Sequence, residues 1–223
     1  MKITLSLAKV CGRASNRSYP EEVTITDKEQ MAKAVHTDHV CGTFKDHRRS
    51  RKAFISSDCI VMDCDNDHSE EPDLWIRPDE SLFSDVSCII VPSRSHMKPK
   101  NGKASRPRFH VYFPVGIIED EAEYALLKRK VQAVFPFFDG NALDSARFIF
   151  GNGDISPSDI IWQEGTMTVE DFLYFMEGHD DTIMEGNRNS SLSRFAGRIL
   201  KRYGNTKEAQ DAFLMEAGKC CPP

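Results

Sequence analysis

The 223 residues lack any CxxC pair, although seven cysteines stand at positions 11, 41, 59, 64, 88, 220 and 221. An odd, scattered set of thiols excludes a disulfide scaffold and a structural zinc site, and it fits a reduced, cytoplasmic protein. No window approaches the roughly 18 unbroken apolar residues of a membrane span, so no membrane partner is expected. The first ten residues lack the apolar block and small-residue cleavage site of a secretory signal. Instead Ile3, Leu5 and Leu7 alternate with Thr4, Ser6 and Ala8, as a strand requires. There is no internal repeat and no low-complexity tract. Positive net charge is also missing: 29 Lys+Arg against 34 Asp+Glu leave −5, which by itself argues against a polyanion partner.

What is present begins with 40% apolar residues, 14 of the 223 being Phe, enough for a real core. The charge is arranged in blocks of opposite sign. Lys45–Lys52 holds five basic residues in eight, and Arg94–Arg108 holds six in fifteen with no acid. Between them Asp63–Asp73 holds six acids in eleven. One such run is by default a solvated loop. Three alternating runs beside apolar, strand-like segments are what a metal-ion site next to a phosphate-binding surface would look like.

Period and punctuation place the elements. Thr26-Asp-Lys-Glu29 reads as a capping box for a helix from about Asp27 to Val35. Cys59-Ile-Val-Met-Asp63-Cys-Asp65 and Val86–Val91 read as buried strands, and 93–107 as the loop between strands. Arg108–Phe113 alternates, with Arg108, His110 and Tyr112 on one face and Phe109, Val111 and Phe113 on the other. Asp120–Phe135 has helical spacing, with Lys128, Arg129 and Lys130 mostly outward. Arg147–Phe150 reads as a last short strand. Beyond residue 165 the pattern becomes helical: one helix from Thr168 to Gly178, a linker over 179–186, an amphipathic stretch from Leu192 to Tyr203, and a helix capped by Asn205–Glu208 and ended by Gly218. The expectation is a domain over 1–165 and a helical segment over 166–223.

Asp63 and Asp65 sit at i and i+2, so both project from one strand face. Two carboxylates about 4 Å apart repel by about 4 kcal/mol at an effective dielectric near 20. A shared proton, a basic partner or a divalent cation must relieve that, and hard oxygen ligands around an open site suit Mg²⁺ or Mn²⁺. His110 shares its face with Arg108 and follows the all-basic loop, a setting for gripping a triphosphate. Asp144, just before an apolar run, supplies the third carboxylate that two bridged ions need. Each feature alone has a structural explanation: a hydrogen-bonded carboxylate pair, a core histidine, a turn aspartate.

Together, Ile60-Val-Met-Asp63-Cys-Asp65, Pro107-Arg-Phe-His110-Val-Tyr-Phe and Leu143-Asp144-Ser-Ala-Arg147-Phe-Ile-Phe-Gly resemble, in order, the three motifs of the archaeo-eukaryotic primase superfamily. They are most similar to the primase-polymerases of phages, plasmids and other mobile elements. The Gly42–Phe54 run resembles the approach to the first motif, and Gly186-Asn-Arg-Asn189 onward resembles the helical segment that follows such catalytic domains. One departure is Arg108, where the superfamily usually has a small residue two before the histidine; Ser93 or Ser95 would have to make the missing contacts.

The resemblance implies an α+β fold, an RNA-recognition-motif-like antiparallel sheet with flanking helices and a small C-terminal helical segment. It implies two Mg²⁺ or Mn²⁺ ions on Asp63, Asp65 and Asp144, and no zinc. Nucleotide binding would fall to His110 and Arg108, with Ser93, Arg94, Arg147, Arg48 and Arg49 around them. The partners are nucleoside triphosphates and a single-stranded DNA template, the latter met by Lys98, Lys100, Lys103 and Arg106. The tail residues Arg188, Arg194, Arg198, Lys201 and Arg202 are either a solvated face or a second template surface. The chain stops just past a helix end, as a fragment would, and a helicase in cis or in trans is a further expected partner. The alternatives are a non-catalytic nucleic-acid-binding module, a metal-dependent nuclease, and a rolling-circle nickase using Tyr124 four residues before Lys128.

Overall fold

In the computed structural model, residues 1–78, 83, 85–141, 143–176, 192–193, 196 and 206–218 are described. The strands in chain order are β1 (Ile3–Leu7), β2 (Glu21–Ile25), β3 (His39–Val40), β4 (Thr43–Phe44), β5 (Phe54–Cys64), β6 (Cys88–Pro92), β7 (Phe109–Ile118) and β8 (Ile161–Gln163). The helices are α1 (Lys28–Ala34), α2 (Glu121–Val134), α3 (Val169–Met176) and α4 (Lys207–Ala217). The fold is α+β. A five-stranded sheet runs β4-β5-β7-β6-β8 and a three-stranded sheet β2-β1-β3, with every pairing antiparallel.

Period-two alternation decides which side each residue serves. On one face of the large sheet, Ile60, Met62, Ile90, Val111 and Phe113 meet Tyr124 and Val131 of α2 and Val169, Phe172 and Leu173 of α3. Aromatic edges knit this side: Phe135 packs on Phe83 at 5.4 Å and stacks on Phe172 at 5.5 Å between centroids. On the other face Cys59, Val61, Ile89, Val91 and Tyr112 meet Ile3, Leu5 and Leu7 of β1 and Met31 and Val35 at α1. Asp58 locks the two sheets, its carboxylate accepting from Thr4 N at 2.7 Å and Thr4 Oγ1 at 2.8 Å. The large sheet is therefore the middle of three layers, with α2 and α3 behind it and the small sheet with α1 in front.

Several expected details differ. Asp27, not Thr26, caps α1 by accepting from Gln30 N, while Gln30 Oε1 accepts from Thr26 N and Oγ1. The Thr168–Asp171 pair does cap α3 reciprocally. At α4 the cap is Thr206, whose hydroxyl accepts from Ala209 N. Residues 147–150 form no strand: an Asp144 side-chain turn holds Ala146 N, and only Ile149 bridges, to His39. Lys128 is 0% exposed rather than outward, because α2 lies flat on β5 and its inner face is wider than the apolar stripe alone. A boundary at 165 does not part α3 from the core, since Phe172 and Leu173 belong to it. The expected linker, the end of the helix at Gly178 and most of the 186–204 stretch lie outside the described residues.

A close approach at Gly151 demands glycine. Asn152 N donates to Val35 O at 2.8 Å, drawing the chain so near α1's exit that a Cβ on Gly151 would stand 2.5 Å from His36 O and 2.6 Å from Thr37 C. Both are backbone atoms that cannot turn aside. Gly151→Ala is expected to cost about 1–3 kcal/mol, an overpacking penalty, and to lower Tm by several degrees in thermal unfolding. Gly153→Ala, where nothing lies within 4 Å, should leave Tm unchanged.

Candidate active site

The strand register assembles the centre. Asp63 on β5 lies directly opposite His110 on β7, and His110 lies opposite Val91 on β6. Alternation turns Asp63 and His110 to the small-sheet side, beyond the point where the small sheet covers it. His110 Nε2 stands 3.5 Å from Asp63 Oδ1. Asp65 follows on the same side, just past the end of β5. Asn66 then turns the chain away at a positive φ of 53°, its buried amide bonding Ile76 N, Ile76 O and Pro107 O.

A cavity of about 140 Å³ opens there. Asp63, Asp65 and His110 form its floor. Ser93, Arg94, Ser95 and Lys100 enter from the loop after β6, and Arg147 through Phe150 form the roof. Basic partners relieve the carboxylate repulsion. Lys100 Nζ donates to Asp65 Oδ2 at 2.7 Å, Arg108 Nε lies 3.6 Å from Asp65 Oδ1, and Arg147 Nη2 lies 3.5 Å from Asp63 Oδ2. Arg94 lays its guanidinium on the Phe150 ring, 3.7 Å from the centroid, which fixes a cation at the mouth.

The roof is held from three sides. His39 and Ile149 exchange backbone hydrogen bonds of 3.0 and 2.8 Å. Asp38 is fully buried and accepts from Gly12 N, Arg13 N and Gly151 N at 2.8 to 2.9 Å. Arg49 donates to Ala146 O at 2.7 Å and Asn16 O at 3.2 Å, with its guanidinium over Phe148. Beneath the roof, His39 Nε2 meets Tyr112 Oη at 2.6 Å while Nδ1 meets Thr37 O at 2.9 Å. A carbonyl can only accept, so the proton sits on Nδ1 and the tyrosine donates to Nε2.

The expected site residues divide accordingly. Asp63, Asp65, His110, Ser93, Arg94, Lys100 and Arg147 converge on the cavity, as does Ser95. Asp144 does not line it; its carboxylate closes the Ala146 turn. Arg49 is a strut, and Arg48 is exposed behind it. Arg108 is 1% exposed and, besides Asp65, donates to Ser95 O and Lys98 O, so it shapes the basic loop from within. Arg106 is 0% exposed, stacked on Trp75 and bonded to Asn66 O, Ser69 O and Glu70, and so is not the open template contact the sequence suggested. Lys103 pairs with Asp67 at 3.1 Å, and Lys98 approaches Asp154 at 3.8 Å. Arg194 and Arg198, with Arg188, Lys201 and Arg202, lie outside the described residues. Tyr124 is buried against Phe54 and Lys128, which removes it as the nucleophile of a nickase. Asp38, His39 and Asn66 went unnoticed in the sequence; Gly12 and Gly151 hint at a close approach there, but their partner is over a hundred residues away for one of them.

Burial lowers the His110 pKa against the pull of Asp63 and Asp65, leaving a neutral imidazole that can donate one hydrogen bond but carries no charge of its own. Asp63 Oδ1 is buried and accepts no hydrogen bond, with His110 Nε2 3.5 Å away. With Asp65 it fits one hard divalent cation that completes its shell from water and phosphate oxygens. Among the described residues no three His, Cys, Asp or Glu side chains group as a metal site.

Burial pushes the His39 pKa down to about 4 from an ordinary 6.5. A depressed histidine contributes stability that is complete above about pH 6.5 and lost as pH falls toward 4, because the unfolded chain binds the proton more readily. The expected loss is about 3 kcal/mol at 1.36 kcal/mol per pH unit. Denaturant unfolding between pH 7 and 4 should show it, and His39→Gln should flatten that part of the slope.

No family model matches the chain, and no curated protein matches it. Among solved structures, the AEP domain (PP-N190) of the cyanophage S-2L primase-polymerase is similar at 13% identity and a TM-score of 0.43, over 78% of this chain and 87% of that one.

Proposed function

We propose that the chain is a template-directed nucleotidyltransferase of the primase-polymerase kind, joining nucleoside triphosphates on single-stranded DNA, with an RNA-recognition-motif-like sheet as its core and replication of a phage, plasmid or mobile element as its setting. The observation that carries the reading is the register pair Asp63–His110 at the floor of a cavity that also presents Asp65, Arg94, Lys100 and Arg147. Three cations and an imidazole around a carboxylate pair that a divalent cation could bridge suit a bound triphosphate better than any neutral ligand. The order of the three motifs in the sequence supports the same class of reaction.

In this reading the 3′ hydroxyl oxygen of an initiating nucleotide or primer attacks the α-phosphorus. The bond from that phosphorus to the oxygen bridging the α- and β-phosphates breaks, pyrophosphate leaves with its electron pair, and the hydroxyl proton passes to solvent. Asp63 and Asp65 would hold a Mg²⁺ or Mn²⁺ ion, which when bound neutralises phosphate charge and makes the hydroxyl a better nucleophile. Arg147 and Lys100, now paired with those carboxylates, would turn to the phosphate oxygens. His110 donates its single N–H to the triphosphate, and the Ser93 and Ser95 hydroxyls take the place of the small residue expected where Arg108 stands. Arg94, held flat by Phe150, keeps a positive charge at the mouth. The two-ion form of this chemistry would require the Asp144 turn to move toward Asp63.

That last point favours one other reading, a nucleic-acid-binding module without catalysis. The two part company in one assay. Unprimed single-stranded DNA with labelled nucleoside triphosphates and Mg²⁺ or Mn²⁺ should give sized, template-dependent products with the wild-type chain. Asp63→Asn and Asp65→Asn should each abolish them while the chain stays folded at the assay temperature by circular dichroism, and His110→Ala should raise the nucleotide KM more than it lowers kcat. Strand binding without product under either metal would leave the module reading, and degradation of DNA without nucleotides would indicate a nuclease.

A further inference from the structure

The loop that looked like the polyanion surface turns most of its charge inward. Lys100, Lys103, Arg106 and Arg108 face Asp65, Asp67 and Glu70 across their own chain. Of the exposed arginines that make no ion pair among the described residues, Arg13, Arg17, Arg48 and Arg94 are four. They lie together. Arg49 N donates to Arg17 O at 2.8 Å and Ser18 bridges Arg48, so Arg17 and Arg48 stand on adjoining backbones. A Cβ on Gly12 would sit 3.5 Å from Arg94 Nη1, which brings the start of that same loop to the cavity mouth.

The loop is also held rigid. Asp38 grips Gly12 N and Arg13 N together with Gly151 N of the roof, and Arg49 joins Asn16 O to Ala146 O. A buried carboxylate and a buried-edge guanidinium thus fix the 9–18 loop to the same segment that covers the cavity. Exposed cations on a preformed path, without acids to neutralise them, are what a phosphate backbone needs: contacts that position a strand without reading its bases.

We propose that Arg13, Arg17 and Arg48 form a binding stripe for the phosphodiester backbone of single-stranded DNA, leading to the cavity at Arg94. The direction of the path rests on the nucleotidyltransferase reading; the binding itself does not.

Fluorescence anisotropy with a labelled oligo(dT) of about 20 nucleotides tests this over a range of salt. Each phosphate neutralised on a single strand contributes about 0.7 to the slope of log K against log salt. The triple variant Arg13→Gln, Arg17→Gln, Arg48→Gln should lower that slope by about 2 and weaken binding on the order of tenfold or more at low salt, with Tm unchanged. Lys103→Gln, which removes a cation already paired with Asp67, should leave the slope as it is. Strand binding is measured without nucleotides or metal, so a fall in the triple variant stands whether or not the wild type makes product, and loss of the stripe and absence of the chemistry are read separately. Wild-type slope and affinity in the triple variant, no strand binding by the wild type, or loss of inorganic tripolyphosphate binding in place of strand binding would each overturn the proposal.

Discussion

Two carboxylates on one strand face cannot share a half-buried floor without positive charge close by. The surroundings of Asp63 and Asp65 are organised by that need. Lys100, Arg108 and Arg147 come from two separate loops to meet them, and His110 faces Asp63 from the neighbouring strand. Because the carboxylates come from β5 and the imidazole from β7, their spacing is set by main-chain hydrogen bonds and not by flexible side chains. The cations sit on loops. They can exchange a carboxylate for a phosphate without disturbing the sheet.

Those loops would be poor supports if they were free. They are not. Asp38 satisfies three backbone N–H groups at once, and its neighbour His39 pairs with the roof at Ile149 and with Tyr112 below. Arg106 and Asn66 do the same for the acidic turn after β5. Buried polar groups of this kind are costly unless every partner is supplied. They therefore specify one arrangement of loops around the cavity, at the expense of sensitivity to acid through His39.

The strands carrying the candidate motifs were legible because a half-buried strand writes its environment as alternation. Ile60, Met62 and Cys64 against Val61 and Asp63, and Phe109, Val111 and Phe113 against His110 and Tyr112, fall on the two faces as the period requires. The capping pair at Thr168 marked the start of α3 just as directly, and helical spacing marked α2, whose cap is Asp120. The last expected strand failed for a related reason. Phe148 and Phe150 alternate as a strand would, yet pairing stops at the single Ile149–His39 bridge to the two-residue β3, and the two rings serve instead as a ring edge and a platform for Arg94.

The amino-acid sequence alone placed the buried strands around 59–65 and 108–113 and put Asp63 and Asp65 on one strand face, since these follow from local period. The α+β class came with the motif resemblance, and the strand order that sets His110 opposite Asp63 belongs to the tertiary structure. The sequence could not decide what each charge does. Arg106 and Lys128 read as surface cations and are buried, while Arg13 and Arg17 drew no attention and stand exposed. Electrostatic pairing depends on distance in space, and Asp38 meets Gly151 across 113 positions of chain. Only the tertiary structure brings such partners together, and so only it separates the cations that hold the protein from those left to hold something else.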